Sequence, residues 1–213
     1  MKRKFLLWDH DGVLVDTERW YFAATRQCLR GLGVELDQPT YLRLMADGRP
    51  SWDLARQRGI TEEAIVEARR ERDRYYQQHL QYEDIEIDGV LDVLSELRRT
   101  YRMAIVSTSR REDFHLIHRD RRISSFFEFI INIEDCARAK PDPDPYQRAL
   151  ARFGALPEEA AAIEDSSRGL KAALAAGLEC IVVRSDFTAT QDFTGAYRVV
   201  NSIREVPAVL AHL

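Results

Sequence analysis

Two hydrophobic periods alternate along this chain. Phe5 to Trp8 is continuously apolar and runs straight into Asp9, the pattern of a short buried strand ending on a carboxylate. The same kind of run returns in "YRMAIVSTS", "FFEFIINIE", "LECIVVRS" and "AYRVVNS", and more weakly in "EEAAAIEDS". Between these runs lie stretches with helical spacing: "DGVLDVLSELRRT", "REDFHLIHRDR", "DPYQRALARFG", "RGLKAALAAG" and a short "IREVPAVLAHL". Strands that alternate with helices predict an α/β fold, a doubly wound parallel sheet with helices on both faces.

Residues 15–86 break that alternation. "TERWYFAATRQCLRGLG" opens on Thr17, a residue able to cap a helix, and closes on Gly31 and Gly33. "PTYLRLMADGRPSWDLARQRG" predicts two shorter helices separated at Gly48–Pro50. "TEEAIVEARRERDRYYQQHLQ" follows, with Glu62 and Glu63 where the helix dipole favours acidic side chains. The chain is therefore expected to hold an α/β core, residues 1–14 and 87–213, and an inserted all-helical cap, residues 15–86.

Composition narrows the function classes. At 213 residues and 45% apolar content the chain can bury a real core. The net charge of −4, with both signs dispersed, gives no footprint for nucleic acid. No run approaches the length of a membrane span, and the charged start "MKRKFLLWDHDG" is too short in apolar residues for a signal peptide. Cys28, Cys136 and Cys180 are odd in number and scattered, which favours free thiols and a cytoplasmic setting. A monomer or weak dimer acting on a small molecule is the expectation.

Chemistry-bearing residues gather at the ends of the predicted strands. Asp9 and Asp11 flank His10, and strand alternation would aim both carboxylates one way with His10 opposed. Two like charges so close repel unless a cation or a proton is shared, and Mg2+, which takes oxygen ligands, fits that need. Ser107 and Thr108 follow "MAIV", Lys140 lies in the turn "ARAKPDPDPY", and Glu164 and Asp165 follow "AAAI". In a parallel sheet, ligands bind beyond the carboxyl ends of the strands. Brought to one edge, these groups supply what a phosphate and metal site needs: carboxylates for the ion, hydroxyls for phosphoryl oxygens, and a lysine for charge.

These segments also carry a resemblance. "WDHDGVLVDTE", "AIVSTS", "KPDPDPYQRAL" and "AIEDSSRGLKAALAAGL" match, in order, the four motifs of the haloacid dehalogenase-like hydrolases, and the match covers almost the whole chain. Within that superfamily the chain resembles the helical-cap subgroup that includes beta-phosphoglucomutase and phosphoglycolate phosphatase. The resemblance implies that Asp9 is the nucleophile, forming an aspartyl phosphate, and that Asp11 is general acid and then general base. It implies a Mg2+ ion held by Asp9, the main-chain oxygen of Asp11, and Asp165, with Glu164 either a ligand or a partner of the ligands. Ser107, Thr108 and Lys140 would bind the phosphoryl group. The third motif usually reads Gly-Lys-Pro; here it is Ala139-Lys140-Pro141, which the turn accepts if Ala139 keeps a negative φ.

Details of the chain sort the chemistries of that superfamily. Its dehalogenases lack the second aspartate of the first motif, and Asp11 is present. The only lysines are Lys2, Lys4, Lys140 and Lys171, so the cap offers none for the Schiff-base chemistry of phosphonate-cleaving members. The sugar-phosphate mutases also commonly use a cap lysine. The preferred reading is a phosphatase of small phosphorylated metabolites, with a sugar-phosphate mutase as the alternative within the family and a non-catalytic binding protein as the alternative outside it. Arg49, between Gly48 and Pro50, is the candidate contact for a substrate anion. His10 is expected to pack or hydrogen-bond beside the strand, and His115 and His118 to be surface residues. Trp20, Tyr21 and Trp52 are assigned to the cap core, and "RRERDR" to a solvated helix face with i,i+4 pairs.

Overall fold

The structure is a computed structural model that describes residues 3–213. Six strands form one parallel sheet in the order β3-β2-β1-β4-β5-β6: β1 (Phe5–Trp8), β2 (Arg102–Val106), β3 (Phe129–Ile131), β4 (Ala160–Glu164), β5 (Glu179–Val183) and β6 (Arg198–Val200). Three of these, β2, β1 and β4, are the middle of the sheet and carry the motif residues. Trp8 is in register with Ile105 on one side and Ile163 on the other, so Asp9, Ser107 and Glu164 reach the same edge. The weakest strand by sequence, "AAAIE", is buried throughout. Its alanines offer little side-chain signal, yet their small size suits a strand covered on both sides.

Helices α5 (Val90–Leu97), α6 (Arg111–His118), α7 (Asp144–Phe153), α8 (Ser167–Ala175) and α9 (Val206–Leu210) complete this unit. One sheet face presents Phe5, Leu7, Ala104, Val106, Ala160 and Ala162 to Tyr146, Leu150 and Phe153 of α7 and to Leu170 and Ala173 of α8. The alternate residues Leu6, Trp8, Met103, Ile105 and Ile163 are equally buried, which is why these strands read as unbroken apolar runs. Beyond Trp8 the strand does not continue. The carbonyl of His10 accepts from the Leu14 amide at 2.9 Å, and a tight loop through Gly12 (φ +82°) replaces the expected alternation. Val15 then bridges both Asp11 and Glu86, so the chain leaves and re-enters this unit side by side.

The chain divides into two units, the first running up to Asp16 and resuming with Glu86–Leu213, the second Thr17–Ile85. The second unit is helical: α1 (Glu18–Gly31), α2 (Gln38–Ala46), α3 (Asp53–Gln57) and α4 (Glu62–Tyr82). Asp37 and Thr61 cap α2 and α4 through their side chains, accepting from the Thr40 and Ala64 amides. Thr17 stands at the cap position of α1 without that bond. Trp52 is buried, whereas Trp20 is half-buried and stacks on His79, with centroids 4.9 Å apart. The three cysteines are free thiols, and among the described residues no helix is long and apolar enough to cross a membrane.

"RRERDR" departs from its reading as a solvated face. Arg72 is only 6% exposed, and its guanidinium lies 4.3 Å from the Tyr21 ring centroid and 6.0 Å from that of Trp52. Its Nε donates to Asp73 at 2.7 Å. A planar, weakly hydrated cation tolerates burial between aromatic faces, which a count of charges along a helix does not reveal. The remaining pairs are at other spacings, such as Arg70–Glu67. Arg72→Ala is expected to cost about 2–4 kcal/mol of stability, whereas Arg70→Ala, at an exposed pair, stays within about 0.5 kcal/mol. Chemical denaturation of both variants measures the difference.

Candidate active site

Lys140 is the hub of the strand-end cluster. It sits in the turn before α7, is 4% exposed, and donates from Nζ to Asp9 Oδ1 at 2.6 Å and to the Val106 carbonyl at 2.7 Å. The same Nζ lies 2.8 Å from Glu164 Oε1. Burial pulls the ammonium pKa down, and the Asp9 and Glu164 charges more than reverse that, so it stands above the usual lysine value. Ala139 takes the place of the usual glycine without difficulty, since no non-glycine residue among those described has a positive φ.

Glu164 is fully buried and serves this lysine. Its Oε1 also accepts from the Tyr146 hydroxyl at 2.5 Å, and Tyr146 stands under the Lys140 ammonium at 5.0 Å from ring centroid to Nζ. Gly169 leaves the room: a Cβ there would sit about 1.9 Å from Glu164 Oε2. Burial and the Asp9 charge push the Glu164 carboxyl up to about 7, against the pull of Lys140. Tyr146 is pushed well above the usual phenol range, chiefly by burial and then by the charge of Glu164.

Asp9, Glu164 and Asp165 form a metal-capable cluster, with one ligand atom of each lying within 4.8 Å of the others. Three carboxylates face one ammonium, so the site carries surplus negative charge, and all its donors are hard oxygens. That donor set fits Mg2+. The β1 loop approaches so closely that a Cβ on Gly12 would fall 2.1 Å from Asp165 Oδ2. Glycine is required there both by φ and by that approach.

Asp11 does not join the carboxylate cluster with its side chain. Its Oδ2 accepts from Ser107 Oγ at 3.3 Å and makes a shorter hydrogen bond with Ser109 Oγ. Ser109 also donates its amide to Ser107 Oγ at 2.9 Å. Thr108, the neighbour of Ser107, accepts from Arg168 at 3.4 Å through its hydroxyl oxygen. Arg49 belongs to the other unit, where it is exposed and paired with Asp53 at 3.3 Å.

Several site residues escaped the sequence reading. Ser109 is two positions past Ser107, where an extended segment returns to the same side. Tyr146 reads by its spacing only as part of a helix, although a buried glutamate demands a partner. His118 is not a surface residue: it is half-buried, and its Nε2 lies 2.8 Å from Nε2 of His10, which is fully buried. His115, three residues earlier, is exposed as expected.

Comparison with known proteins places the chain in a family. A family model described as haloacid dehalogenase-like hydrolase matches residues 6–183. Protein CbbY of Cereibacter sphaeroides is 30% identical, over 94% of this chain and 93% of its own length. A phosphorylated carbohydrates phosphatase of Thermotoga maritima is 27% identical, over 96% of this chain and 89% of that protein. Among solved structures, an aspartate-to-asparagine variant of CbbY from Rhodobacter sphaeroides in complex with xylulose-(1,5)bisphosphate superposes with a TM-score of 0.82 at 27% identity, covering 98% of this chain and 99% of that one. The motifs, the sheet order and the family match converge: this chain belongs to the haloacid dehalogenase-like hydrolases.

Proposed function

We propose that this protein is a Mg2+-dependent phosphatase of small phosphorylated metabolites, sugar phosphates first among them, working through a phosphorylated Asp9. The observation that carries the reading is the Lys140 ammonium, buried between Asp9 and Glu164 at the mouth of the central strands. A lysine so held orients Asp9 through its 2.6 Å hydrogen bond, and it places fixed positive charge where a transferring phosphoryl group gathers negative charge. Relatives support the substrate class: one is a phosphatase of phosphorylated carbohydrates, and a variant of another binds a sugar bisphosphate.

The chemistry of the residues runs as follows. An oxygen of Asp9 attacks phosphorus, and the bond to the leaving oxygen breaks as Asp11 gives that oxygen a proton. Asp11, now ionised, takes a proton from water as the water oxygen attacks the phosphorus of the aspartyl phosphate; phosphate leaves and Asp9 is regenerated. Ser107 and Thr108 offer hydroxyls to the phosphoryl oxygens, and Ser109 orients Asp11. Asp9 and Asp165 would hold the Mg2+ together with the main-chain oxygen of Asp11, while Glu164 secures Lys140. Bound there, the ion would supply positive charge to the phosphoryl oxygens. Arg49 is proposed to bind a distal anion of the substrate, since an exposed pair such as Arg49–Asp53 exchanges partners at little cost. No lysine lies between Leu14 and Ile87 to serve the mutase reading.

Phosphate release from a panel of sugar phosphates tests the proposal. Asp9→Asn is expected to stay folded by circular dichroism and to lose at least about a thousandfold in kcat; normal turnover would overturn the nucleophile assignment. Chelation is expected to abolish release, and added Mg2+ to restore it. Arg49→Ala is expected to raise KM several-fold with kcat nearly unchanged, because the contact binds ground state and transition state alike.

A further inference from the structure

An imidazole pair, His10 and His118, lies behind the groups assigned so far. His10 comes from the loop after β1, between Asp9 and Asp11, and His118 ends α6. Their Nε2 atoms are 2.8 Å apart. The rings also pack: His10 lies 4.9 Å from Phe114, one turn earlier on α6, and Phe114 lies 4.4 Å from His118. The second nitrogen of His10, Nδ1, lies 3.2 Å from Asp11 Oδ2 but makes no hydrogen bond to it in this geometry. That same oxygen is bound from the β2–α6 segment by Ser107 and Ser109.

Packing alone does not account for two imidazoles here. Burying polar rings costs free energy that a pair of leucines would not incur. Nδ1 of His118 is buried with no hydrogen-bond partner, an additional cost. Burial, with His10 and Arg121 nearby, pushes His118 down to about 3, so it is neutral at ordinary pH. A neutral imidazole still offers one donor or one acceptor at Nε2. The polar content of the pair thus has one evident destination, the Asp11 carboxyl.

We propose that His10 and His118 are positioning residues for Asp11: His118 fixes the ring of His10, and His10, with Ser109, fixes the carboxyl that exchanges a proton with the leaving oxygen. The inference rests on the phosphatase reading and adds to it a link from α6 to the acid. Neither histidine touches the substrate. Their effect should therefore scale with how much the leaving oxygen needs a proton.

Leaving-group dependence tests this directly. kcat/KM reports the steps through departure of the leaving group, and p-nitrophenolate departs without a proton whereas a sugar alkoxide needs one. In His10→Leu, His118→Leu and the double His10→Leu/His118→Leu variant, kcat/KM for a sugar phosphate is expected to fall about 10- to 100-fold. For p-nitrophenyl phosphate it is expected to stay within about threefold. The double variant leaves no polar group stranded, so it guards against misfolding of the single ones. His118→Gln, which returns a polar group near the Nε2 position, is expected to recover much of the loss. Equal losses on both esters, or no loss on the sugar phosphate, would overturn the positioning role. If the wild-type protein hydrolyses neither ester with Mg2+ present, the phosphatase reading fails, and the inference built on it falls too.

Discussion

Everything at the strand edge depends on one buried ammonium. Lys140 satisfies Asp9, Glu164 and the Val106 carbonyl at once, and none of these would be tolerable in the interior without it. A lone buried carboxylate takes up a proton, and a lone buried lysine gives one up. Held together, the three side chains are fixed, and Lys140 keeps its charge, while burial still pushes the Glu164 carboxyl up to about 7. Glu164 is the balancing partner: Tyr146 supports it, and the absent side chain of Gly169 makes room for it.

The fold delivers these groups by arithmetic of register. β1 lies between β2 and β4 with Trp8 level with Ile105 and Ile163, so the next residues of all three strands meet beyond the sheet. Gly12 then lets the β1 loop close onto Asp165, and the turn before α7 brings in Lys140. The geometry of the cluster is thereby fixed by strands buried on both faces, the least deformable part of such a sheet. The result is two adjoining sets with different tasks: Asp9, Glu164 and Asp165 around the lysine, and Asp11 among serines and histidines.

Much of this was legible in the sequence. Runs such as "FLLW" and "MAIV" ended where their strands end, and the polar residue after each run marked the edge. Gly154 and Thr61 stand at helix ends in the quoted stretches "DPYQRALARFG" and "TEEAIVEARRERDRYYQQHLQ", whereas the cap Asp37 lies ahead of the stretch predicted as helix. What escaped was tertiary. The partners of Arg72 lie on α1 and just before α3, and the partner of His10 lies 108 residues away. Periodicity reports which face of a helix is apolar, not which polar ring or guanidinium is sunk into it. Alternation also failed past Trp8, because a loop with its own hydrogen bonds took over from the strand.

In the proposed mechanism the phosphoryl group resides on Asp9 in mid-reaction. Asp11→Asn, given p-nitrophenyl phosphate, should accept the phosphoryl group, since that leaving group needs no acid, and then stall for want of a base. Acid quench and peptide mass spectrometry locate the group. A burst of about one p-nitrophenolate per protein is expected, with the added phosphoryl mass on the peptide carrying Asp9. A burst with the group on another residue, or steady release with Asp9 never modified, would contradict it.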